Sequence, residues 1–308
     1  YIEGLLLSSG VVRNPDYTME RLVRIVKDLR TIHRFNGYIH LKGIPGASPE
    51  LIHEAGLYAD RMSVNIEIPN EKSLQTLAPE KDFQSVFTPM RHIQQGVLES
   101  AEERKKYRSA PRFAPAGQST QMIIGATPDS DKDILRLSSA LYQRPTMKRV
   151  YYSGFVPVNA YDNRLPQLKQ PPLVRENRLY QADWLLRFYQ FKVDEIVDDS
   201  YPDRDLEIDP KLAWALRHPE KFPVDINRAD YELLLRVPGL GVKSAKMIIV
   251  SRRYGKINGS QLKKMGVVLK KAQYFITCNE LPLQTVQELR PERVRQLLIP
   301  RKGKQEDP

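Results

Sequence analysis

The chain has 308 residues, of which 41% are hydrophobic and 28% are charged, and its formal net charge is +11. This composition is typical of a folded protein of about two domains; it excludes a disordered chain, and no apolar run approaches the roughly 20 residues that cross a bilayer. The single cysteine, Cys278, excludes a disulfide framework and any metal centre built from several thiolates of this chain, and it favours the cytoplasm.

The first 160 residues alternate between short apolar runs and amphipathic stretches of helical length. We predict strands at 1–9, 38–41, 61–68, 120–125 and 148–155, and helices at 18–33, 48–58, 71–77, 90–107 and 129–142. Repeated strand-then-helix units predict parallel strands joined by right-handed crossovers. A curved (β/α) barrel fits this α/β pattern better than a doubly wound sheet.

Small and polar residues follow the predicted strands, where a barrel of this kind binds its ligands. These residues are Ser8, Ser9, Gly10, Lys42, Gly43, Asn65, Glu67, Gln121, Gly125, Ala126, Thr127, Tyr152, Ser153 and Gly154. Asn65 and Glu67 lie two residues apart, so a strand points both to one face. A carboxylate in a barrel interior needs a partner or a ligand, and a purely structural hydrogen-bonded pair is an equal alternative.

The middle of the chain connects the predicted barrel to a second region. Residues 159–177 contain three prolines and few apolar residues, which predicts a linker. A helix at 175–191 follows, and we expect its aromatic residues to pack in a core rather than stack on bases. An acidic, turn-rich segment at 198–209 leads into a short helix at 210–217.

Basic residues are concentrated near the end of the chain. No Asp or Glu occurs from Arg236 to Lys271, and the rest of the chain is nearly neutral. The basic residues of this segment are Arg236, Lys243, Lys246, Arg252, Arg253, Lys256, Lys263, Lys264, Lys270 and Lys271. Such a segment favours a polyanionic partner.

The same segment contains the run VPGLGVKSA at 237–245. Gly239 and Gly241 allow a tight turn with exposed amides, and the helix that follows directs its positive end toward the same point. We expect Asn227 to cap the preceding helix. The turn predicts a backbone phosphate site, and its candidate DNA contacts are Val237, Pro238, Gly239, Leu240, Gly241, Lys243, Ser244, Lys246 and Gly266.

The run DINRADYELLLRVPGLGVKSAKMII resembles the helix-hairpin-helix module of DNA repair and recombination proteins. Residues 262–272 resemble a degenerate second copy, in which Gly266 stands at the place of Gly239 and Val268 replaces the second glycine. The resemblance implies binding to the DNA backbone without reading of base sequence. A hairpin used only for protein packing is the alternative.

A larger resemblance covers most of the chain. LLLSSGV, YIHLKGIPGAS, ADRMSVNIEIPNEKSLQTLAPEK, FAPAGQSTQMIIGATPDSD and KRVYYSGFVPV, followed by RLYQADWLLRFYQF and the hairpin, resemble the DNA modification/repair radical S-adenosylmethionine proteins. The resemblance implies a partial, TIM-like (β/α) barrel at 1–160, packing helices and a linker at 161–222, and an all-α helix-hairpin-helix domain at 223–308. It also implies S-adenosylmethionine and a [4Fe–4S] cluster as cofactors, and functional linkage to a uracil-DNA-glycosylase-like partner.

The chain departs from that family in having no CxxxCxxC cluster loop. We expect the loop and the first barrel strand upstream of Tyr1, and we expect Cys278 to be a buried structural thiol. By resemblance, Ser8, Ser9 and Gly10 fall at a GGE-like cofactor motif, Asn65 or Glu67 at the ribose contact, and Ile123 and Gly125 at a GxIxGxxE-like motif. No catalytic residue is assigned.

Two further functions fit the residues. The protein could be a noncatalytic DNA-binding protein with a degenerate barrel. It could also be a DNA-repair hydrolase of the glycosylase kind, in which a flipped base meets an acid such as Glu67.

Overall fold

The computed structural model describes residues 3–79, 81–158, 161–279, 281 and 284–299. Its strands are β1 Gly4–Leu7, β2 Tyr38–Lys42, β3 Arg61–Ser63, β4 Gln118–Ile124, β5 Met147–Gly154, β6 Val224–Asp225 and β7 Ile276–Thr277. Its helices are α1 Pro15–Thr31, α2 Pro49–Tyr58, α3 Glu71–Leu77, α4 Phe83–Lys106, α5 Asp131–Tyr142, α6 Leu173–Phe188, α7 Val193–Ile196, α8 Pro210–Arg217, α9 Tyr231–Arg236, α10 Val242–Ser251, α11 Gly259–Lys264, α12 Leu269–Ala272, α13 Val286–Leu289 and α14 Pro291–Leu298. A short 3₁₀ helix spans Pro219–Lys221.

The chain forms two compact units. The first contains residues 1–129 and 136–176, and the second contains residues 130–135 and 177–308. The expected linker region at 161–222 is therefore divided between the two units, and the second unit is not one continuous stretch of chain.

The first unit is built on a parallel sheet of five strands, so the predicted α/β class is confirmed. Its strand order is β1-β2-β3-β4-β5, with each strand beside its neighbour in sequence. A doubly wound sheet reverses its order at a switch point, whereas sequential winding in one direction is the pattern of (β/α) barrels. In the part of the chain that the structure describes, β1 and β5 do not pair with each other, so the sheet is open.

The two faces of this sheet differ in chemistry because successive side chains point to opposite sides. One face is apolar and fully buried, as at Ile39, Leu41 and Met62. The opposite face, here called the polar face, is formed by Tyr38, His40, Lys42, Arg61, Ser63, Ser119, Gln121, Arg149 and Tyr151. The register places Ser63 beside Ser119 and Ser119 beside Arg149, so the polar residues form continuous rows across the strands.

The predicted strand at 61–68 is too long, because β3 ends at Ser63. The amide of Ile66 donates to the Thr120 side-chain oxygen at 3.1 Å instead of continuing the ladder. Glu67 then has φ 62°, a left-handed conformation, and makes an isolated bridge with Met122. These two features end the strand just before Asn65 and Glu67.

Two other predicted helices also have different bounds. The helix expected at 90–107 begins at Phe83, because Asp82 caps it by accepting a hydrogen bond from the Ser85 amide. The helix expected at 175–191 spans Leu173–Phe188. Its Trp184 is 50% exposed rather than packed in a core, since the inward positions are taken by residues such as Asp183 and Leu185.

The second unit contains two short helical hairpins, and the Asn227 side chain, before the first hairpin, bonds the backbone of Ile257, before the second. The prediction that Asn227 caps α9 is wrong, because Asp230 holds that position and accepts a hydrogen bond from the Leu233 amide. Asn227 instead accepts from the Ile257 amide at 2.7 Å and donates to the Ile257 carbonyl at 3.2 Å. Nearby, β6 and β7 form a two-stranded parallel sheet. Among the described residues, none of the helices is long and apolar enough to cross a bilayer.

Candidate functional site

A cavity of about 650 Å³ lies in the first unit where β1, β2 and β3 end. Its volume is within the usual range of small-molecule sites, about 300–1,000 Å³. The polar residues that line it are Ser9, Lys42, Asn65, Glu67, Lys81 and Ser85, together with Gly10, Gly43 and Gly46. This is the position where parallel strands of barrel-type sheets bind ligands.

Glu67 is the central polar group of this cavity. Its Oε1 atom accepts a hydrogen bond from Asn65 Nδ2 at 3.0 Å and lies 3.3 Å from Lys42 Nζ. The side chains of Asn65 and Glu67 therefore meet, although neither residue lies in the strand that was expected to point them to one face. Within the described residues, Oε2 of Glu67 has no hydrogen-bond partner, so one carboxylate oxygen is left for a ligand donor.

The backbone holds Glu67 in an uncommon conformation. A non-glycine residue in the left-handed region costs about 1 kcal/mol or more. The amide of Glu67 donates to the Gln121 carbonyl at 2.9 Å, and its carbonyl accepts from the Ile123 amide at 2.7 Å. These two bonds to β4 offset the strain and fix the carboxylate at the cavity wall.

The polar face continues from the cavity toward the start of the strands. His40 Nε2 lies 3.0 Å from Ser63 Oγ and 3.4 Å from Ser119 Oγ. Burial, together with the nearby Arg61 guanidinium, lowers the pKa of His40 to about 4. His40 is therefore neutral at pH 7, and it contributes hydrogen bonds rather than charge.

The structure brings together only some of the residues predicted to bind a cofactor. Ser9, Gly10, Asn65 and Glu67 line the cavity, whereas Ser8 is exposed outside it. Ile123 packs in an apolar cluster with Ile68, Leu74 and Ala126. Gly125 has φ 86° and lies against Pro172, since a Cβ there would come 2.9 Å from the proline ring.

Sequence reasoning placed Lys42 at a strand end where ligands bind, but it did not assign Lys81 or Ser85 to the cavity. Lys42 was recognisable as the residue that ends β2, but its ion pair with Glu67 follows from the fold. Lys81 comes from the connection between α3 and α4, and Ser85 comes from the first turn of α4. Only the packing of α4 near the strand ends reveals them.

The basic segment of the second unit folds as two consecutive helical hairpins. The first hairpin is α9, the turn 237–241 and α10, and the second is α11, the turn 265–268 and α12. Gly239 and Gly266 occupy equivalent places and have φ 85° and 81°. The turns contact each other, because the Val268 amide donates to the Gly239 carbonyl at 2.9 Å and Ser244 Oγ donates to the Met265 carbonyl at 2.9 Å.

Both the backbone conformation at position 239 and the space around it require a glycine. A Cβ on this residue would lie 2.7 Å from the Val268 carbonyl oxygen, closer than atoms can approach. Gly241 differs, because its φ is −94° and a Cβ there would meet only the Tyr189 hydroxyl at 3.7 Å. The two glycines of the turn therefore have different roles: Gly239 allows the hairpins to approach, and Gly241 leaves the outer surface unhindered.

A buried lysine orients the first turn. Lys211 is 6% exposed, and its ammonium donates to the Leu240 carbonyl at 2.6 Å. Burial lowers the pKa of Lys211 to about 7, and this effect outweighs the opposing influence of Asp209. Because a trans peptide points its carbonyl and amide in opposite directions, the Gly241 amide points away from the Lys211 ammonium.

Tyr189 contacts the same turn. A Cβ on Gly241 would come 3.7 Å from the Tyr189 hydroxyl oxygen, and the Tyr189 ring lies 4.7 Å from the Lys211 ammonium. The amides of Gly241, Lys243 and Ser244 make no hydrogen bonds within the described part of the chain, as expected for donors at the start of a helix. Three amide donors thus remain near the turn, and sequence reasoning missed the two residues, Lys211 and Tyr189, that shape it.

The basic residues of the segment divide into two groups. Arg236 pairs with Glu195 at 2.9 Å, Lys271 pairs with Asp209 at 2.6 Å, and Arg252 donates to the Ile226 and Ala229 carbonyls. The others are exposed: Lys243, Lys246, Arg253, Lys256, Lys263, Lys264 and Lys270. The exposed group gives this surface, here called the hairpin surface, a strong positive charge.

Several predicted DNA contacts have buried side chains. Val237, Pro238, Leu240 and Ser244 point inward, so only their main-chain atoms are available to a ligand. Lys243, Lys246 and Gly266 are exposed. Cys278 is partly exposed rather than buried, and no group of three or more His, Cys, Asp or Glu residues is placed to hold a metal ion in the described residues.

Comparison with known proteins adds little. No protein-family model matches the chain, and neither does any curated protein. Among solved structures, the chain is similar to ligand-free DHODH from Eimeria tenella, with 13% sequence identity and a TM-score of 0.32, over 88% of this chain and 71% of that chain. A likeness at this level carries no argument about fold or function.

Proposed function

We propose that this protein acts on DNA in the cytoplasm: the hairpin surface binds the DNA backbone, and the strand-end cavity binds S-adenosylmethionine. In this proposal the second unit is a helix-hairpin-helix domain and the first is a partial barrel of the radical S-adenosylmethionine type. A uracil-DNA-glycosylase-like protein is the partner that the sequence resemblance implies.

The direction of the Gly241 amide carries the DNA-binding part of the proposal. Lys211 holds the Leu240 carbonyl inside the protein, so the next amide points away from Lys211 at the start of α10. A helix N-terminus with free amides is a favourable place for a phosphate, and Lys243 and Lys246 are exposed beside it. Contacts of this kind give affinity that depends on salt and not on base sequence.

The cavity fits part of S-adenosylmethionine. The unpartnered Oε2 of Glu67 would accept a hydrogen bond from the ammonium group of the ligand, and Asn65 and Ser9 offer further polar contacts. When bound, S-adenosylmethionine supplies methyl or 5′-deoxyadenosyl groups. The protein's residues would bind and orient it; no residue is assigned to the chemical step.

An iron–sulfur cluster does not fit the residues present. A [4Fe–4S] cluster is held by several cysteine thiolates, and this chain has one cysteine. We therefore derive no step through a cluster. A noncatalytic DNA-binding protein is the second candidate, and the single cysteine is the observation that favours it.

Gel-shift titration with a blunt duplex tests the DNA-binding function. We expect Gly241→Asp to weaken binding by roughly tenfold or more, because the added carboxylate stands where a phosphate would bind. Gly241→Ala is the matched control, since it adds the Cβ without the charge and should retain most of the affinity. Equal affinity of the Asp and Ala variants would contradict the proposal.

A further inference from the structure

We infer that the exposed rings of Trp184 and Phe188, here called the aromatic pair, stack against an unpaired base of DNA whose phosphate is held at the first hairpin turn. The inference rests on the proposed DNA function and deepens it by naming a substrate class, a duplex that carries a single-stranded overhang. The aromatic pair and the turn both belong to the second unit.

The aromatic pair is exposed although both of its residues are hydrophobic. Trp184 is 50% exposed and Phe188 is 42% exposed, whereas Leu185 of the same helix is buried. The two ring centroids lie 4.4 Å apart, with an angle of 48° between the ring planes. Adjacent exposed rings form a contiguous apolar surface, which is more typical of a binding site than single exposed residues are.

The charge around the aromatic pair favours a polyanion. The Arg187 guanidinium lies over the Phe188 ring, 4.9 Å from its centroid. Asp183 is the only acidic residue from 177 to 192, and it is buried and bonded to Arg187 at 3.4 Å. An arginine beside exposed rings is a combination that suits single-stranded nucleic acid, because bases stack on the rings while the cation attracts the backbone.

Tyr189 connects the aromatic pair to the first hairpin turn. It follows Phe188 directly, and its hydroxyl oxygen would lie 3.7 Å from a Cβ on Gly241. Trp184 lies one helical turn before Phe188, about 6 Å along the helix axis. A strand whose phosphate contacts the Gly241 amide can therefore bring a neighbouring base to the aromatic pair.

A base can meet these rings only where it is unpaired. Inside a duplex each base is covered on both faces by its neighbours, so only its edges are open in the grooves. An unpaired base can turn out of the stack and place one face on an aromatic ring. Because stacking reads no base edge, the contact adds affinity without sequence preference, as phosphate binding at the turn does. We therefore expect the preferred ligand to be the junction between a duplex and a single-stranded overhang.

Tryptophan fluorescence of the full chain tests this stacking directly. The sequence contains two tryptophans, and Trp214 is buried, so Trp184 is the one that a stacked base can quench. We expect the emission to fall when a duplex with an overhang is added, and to change little with the matching blunt duplex. Trp214→Phe is the control, since it removes the buried indole and should keep the quenching.

Fluorescence anisotropy with the same two labelled DNAs measures the affinity. We expect Trp184→Leu to weaken binding of the overhang duplex roughly five- to tenfold and to leave binding of the blunt duplex within about twofold. Tyr201→Leu is the matched control, because Tyr201 is 55% exposed in the same unit and has the Arg217 guanidinium 5.1 Å from its ring centroid. It should change neither affinity.

Phe188→Leu provides a second variant in case Trp184→Leu does not fold, as judged by circular dichroism. It should also weaken overhang binding selectively, since it removes one of the two rings. Unchanged overhang affinity in a folded variant would overturn the inference, and so would an equal loss for the overhang and blunt duplexes. Gly241→Asp should weaken the binding of both DNAs, so the failure of the hairpin proposal is distinguishable from the failure of this one.

Discussion

The ammonium of Lys211 and the carbonyl oxygen of Leu240 are joined by a hydrogen bond of 2.6 Å inside the second unit. This bond determines which way the peptide between Leu240 and Gly241 faces. A side chain buried in the protein thus controls a main-chain group on its surface. The pH dependence of stability gives a direct test of this buried lysine.

We predict that the free energy of unfolding rises with pH between about 7 and 10.5. Burial lowers the pKa of Lys211 from its ordinary value of 10.5 to about 7 in the folded protein. Between these pH values the unfolded chain therefore binds more protons than the folded protein. Raising the pH removes protons from the unfolded state and so favours folding. The rise should be a few kcal/mol, on the order of 1.4 kcal/mol per unit of displaced pKa. Urea titrations at several pH values measure it.

Lys211→Met should remove most of this pH dependence, because it fills the same space without a titrating group. Lys243→Met is the control, since Lys243 is exposed and its loss should leave the slope unchanged. A slope that persists in Lys211→Met would assign the effect to other groups.

The salt dependence of DNA binding should distinguish exposed lysines that contact DNA from lysines that are held in ion pairs within the protein. The logarithm of duplex affinity should fall linearly with the logarithm of salt concentration, by about 0.9 per phosphate neutralised. Lys246→Gln should reduce that slope by about one contact. Lys271→Gln should leave the slope unchanged, because Lys271 is paired with Asp209 at 2.6 Å. Identical slopes for the wild type and Lys246→Gln would place this lysine outside the DNA contact.

Glu67→Gln should weaken the binding of S-adenosylmethionine by roughly tenfold, since a charged acceptor for the ammonium group becomes neutral. Isothermal titration calorimetry measures the affinity without any need for catalysis. Glu20→Gln is the control, because Glu20 is exposed on α1 of the same unit. If both variants bind the ligand like the wild type, Glu67 is only a structural partner of Lys42.

The buried ion pair between Arg204 and Asp131 should be important for stability. Both side chains are 1% exposed, and Arg204 Nη2 lies 2.9 Å from Asp131 Oδ2. Asp131→Ala should cost about 3–5 kcal/mol, because it removes one partner of a buried ion pair. Glu102→Ala should have no measurable effect, since the pair of Glu102 with Lys105 is exposed. Thermal melts compare the two variants, and similar melting temperatures would contradict the prediction.

Local pattern was enough to predict much of the first unit. The alternation of strands and helices predicted the sheet, and α3 has the predicted bounds, as does α8 of the second unit. The interruption at Glu67 was not predictable, because it depends on Thr120, which is distant in sequence and bonds the Ile66 amide. Strand periodicity in 61–68 contains no information about that bond.

In the candidate sites, too, features set by a single residue were predictable from the sequence, and features set by contacts between distant residues were not. The turn at 237–241 was recognisable from its glycines, since conformational freedom is a property of the residue itself. The role of Lys211 was not, because it depends on the Leu240 carbonyl, which the fold brings near. Trp184 shows the opposite error: its hydrophobicity predicted a core position, but the helix turns it toward solvent.

The division of α5 between the two units affects how the protein can be dissected. Residues 130–135 belong with the second unit, although residues 136–176 separate them from its continuous part. A fragment that starts at Asn177 would keep Arg204 but lose Asp131, the carboxylate that lies 2.9 Å from its guanidinium. The second unit therefore cannot be separated from the rest of the chain by a single cut: natural recombination or laboratory truncation that keeps this ion pair must carry along residues 130–135 as well.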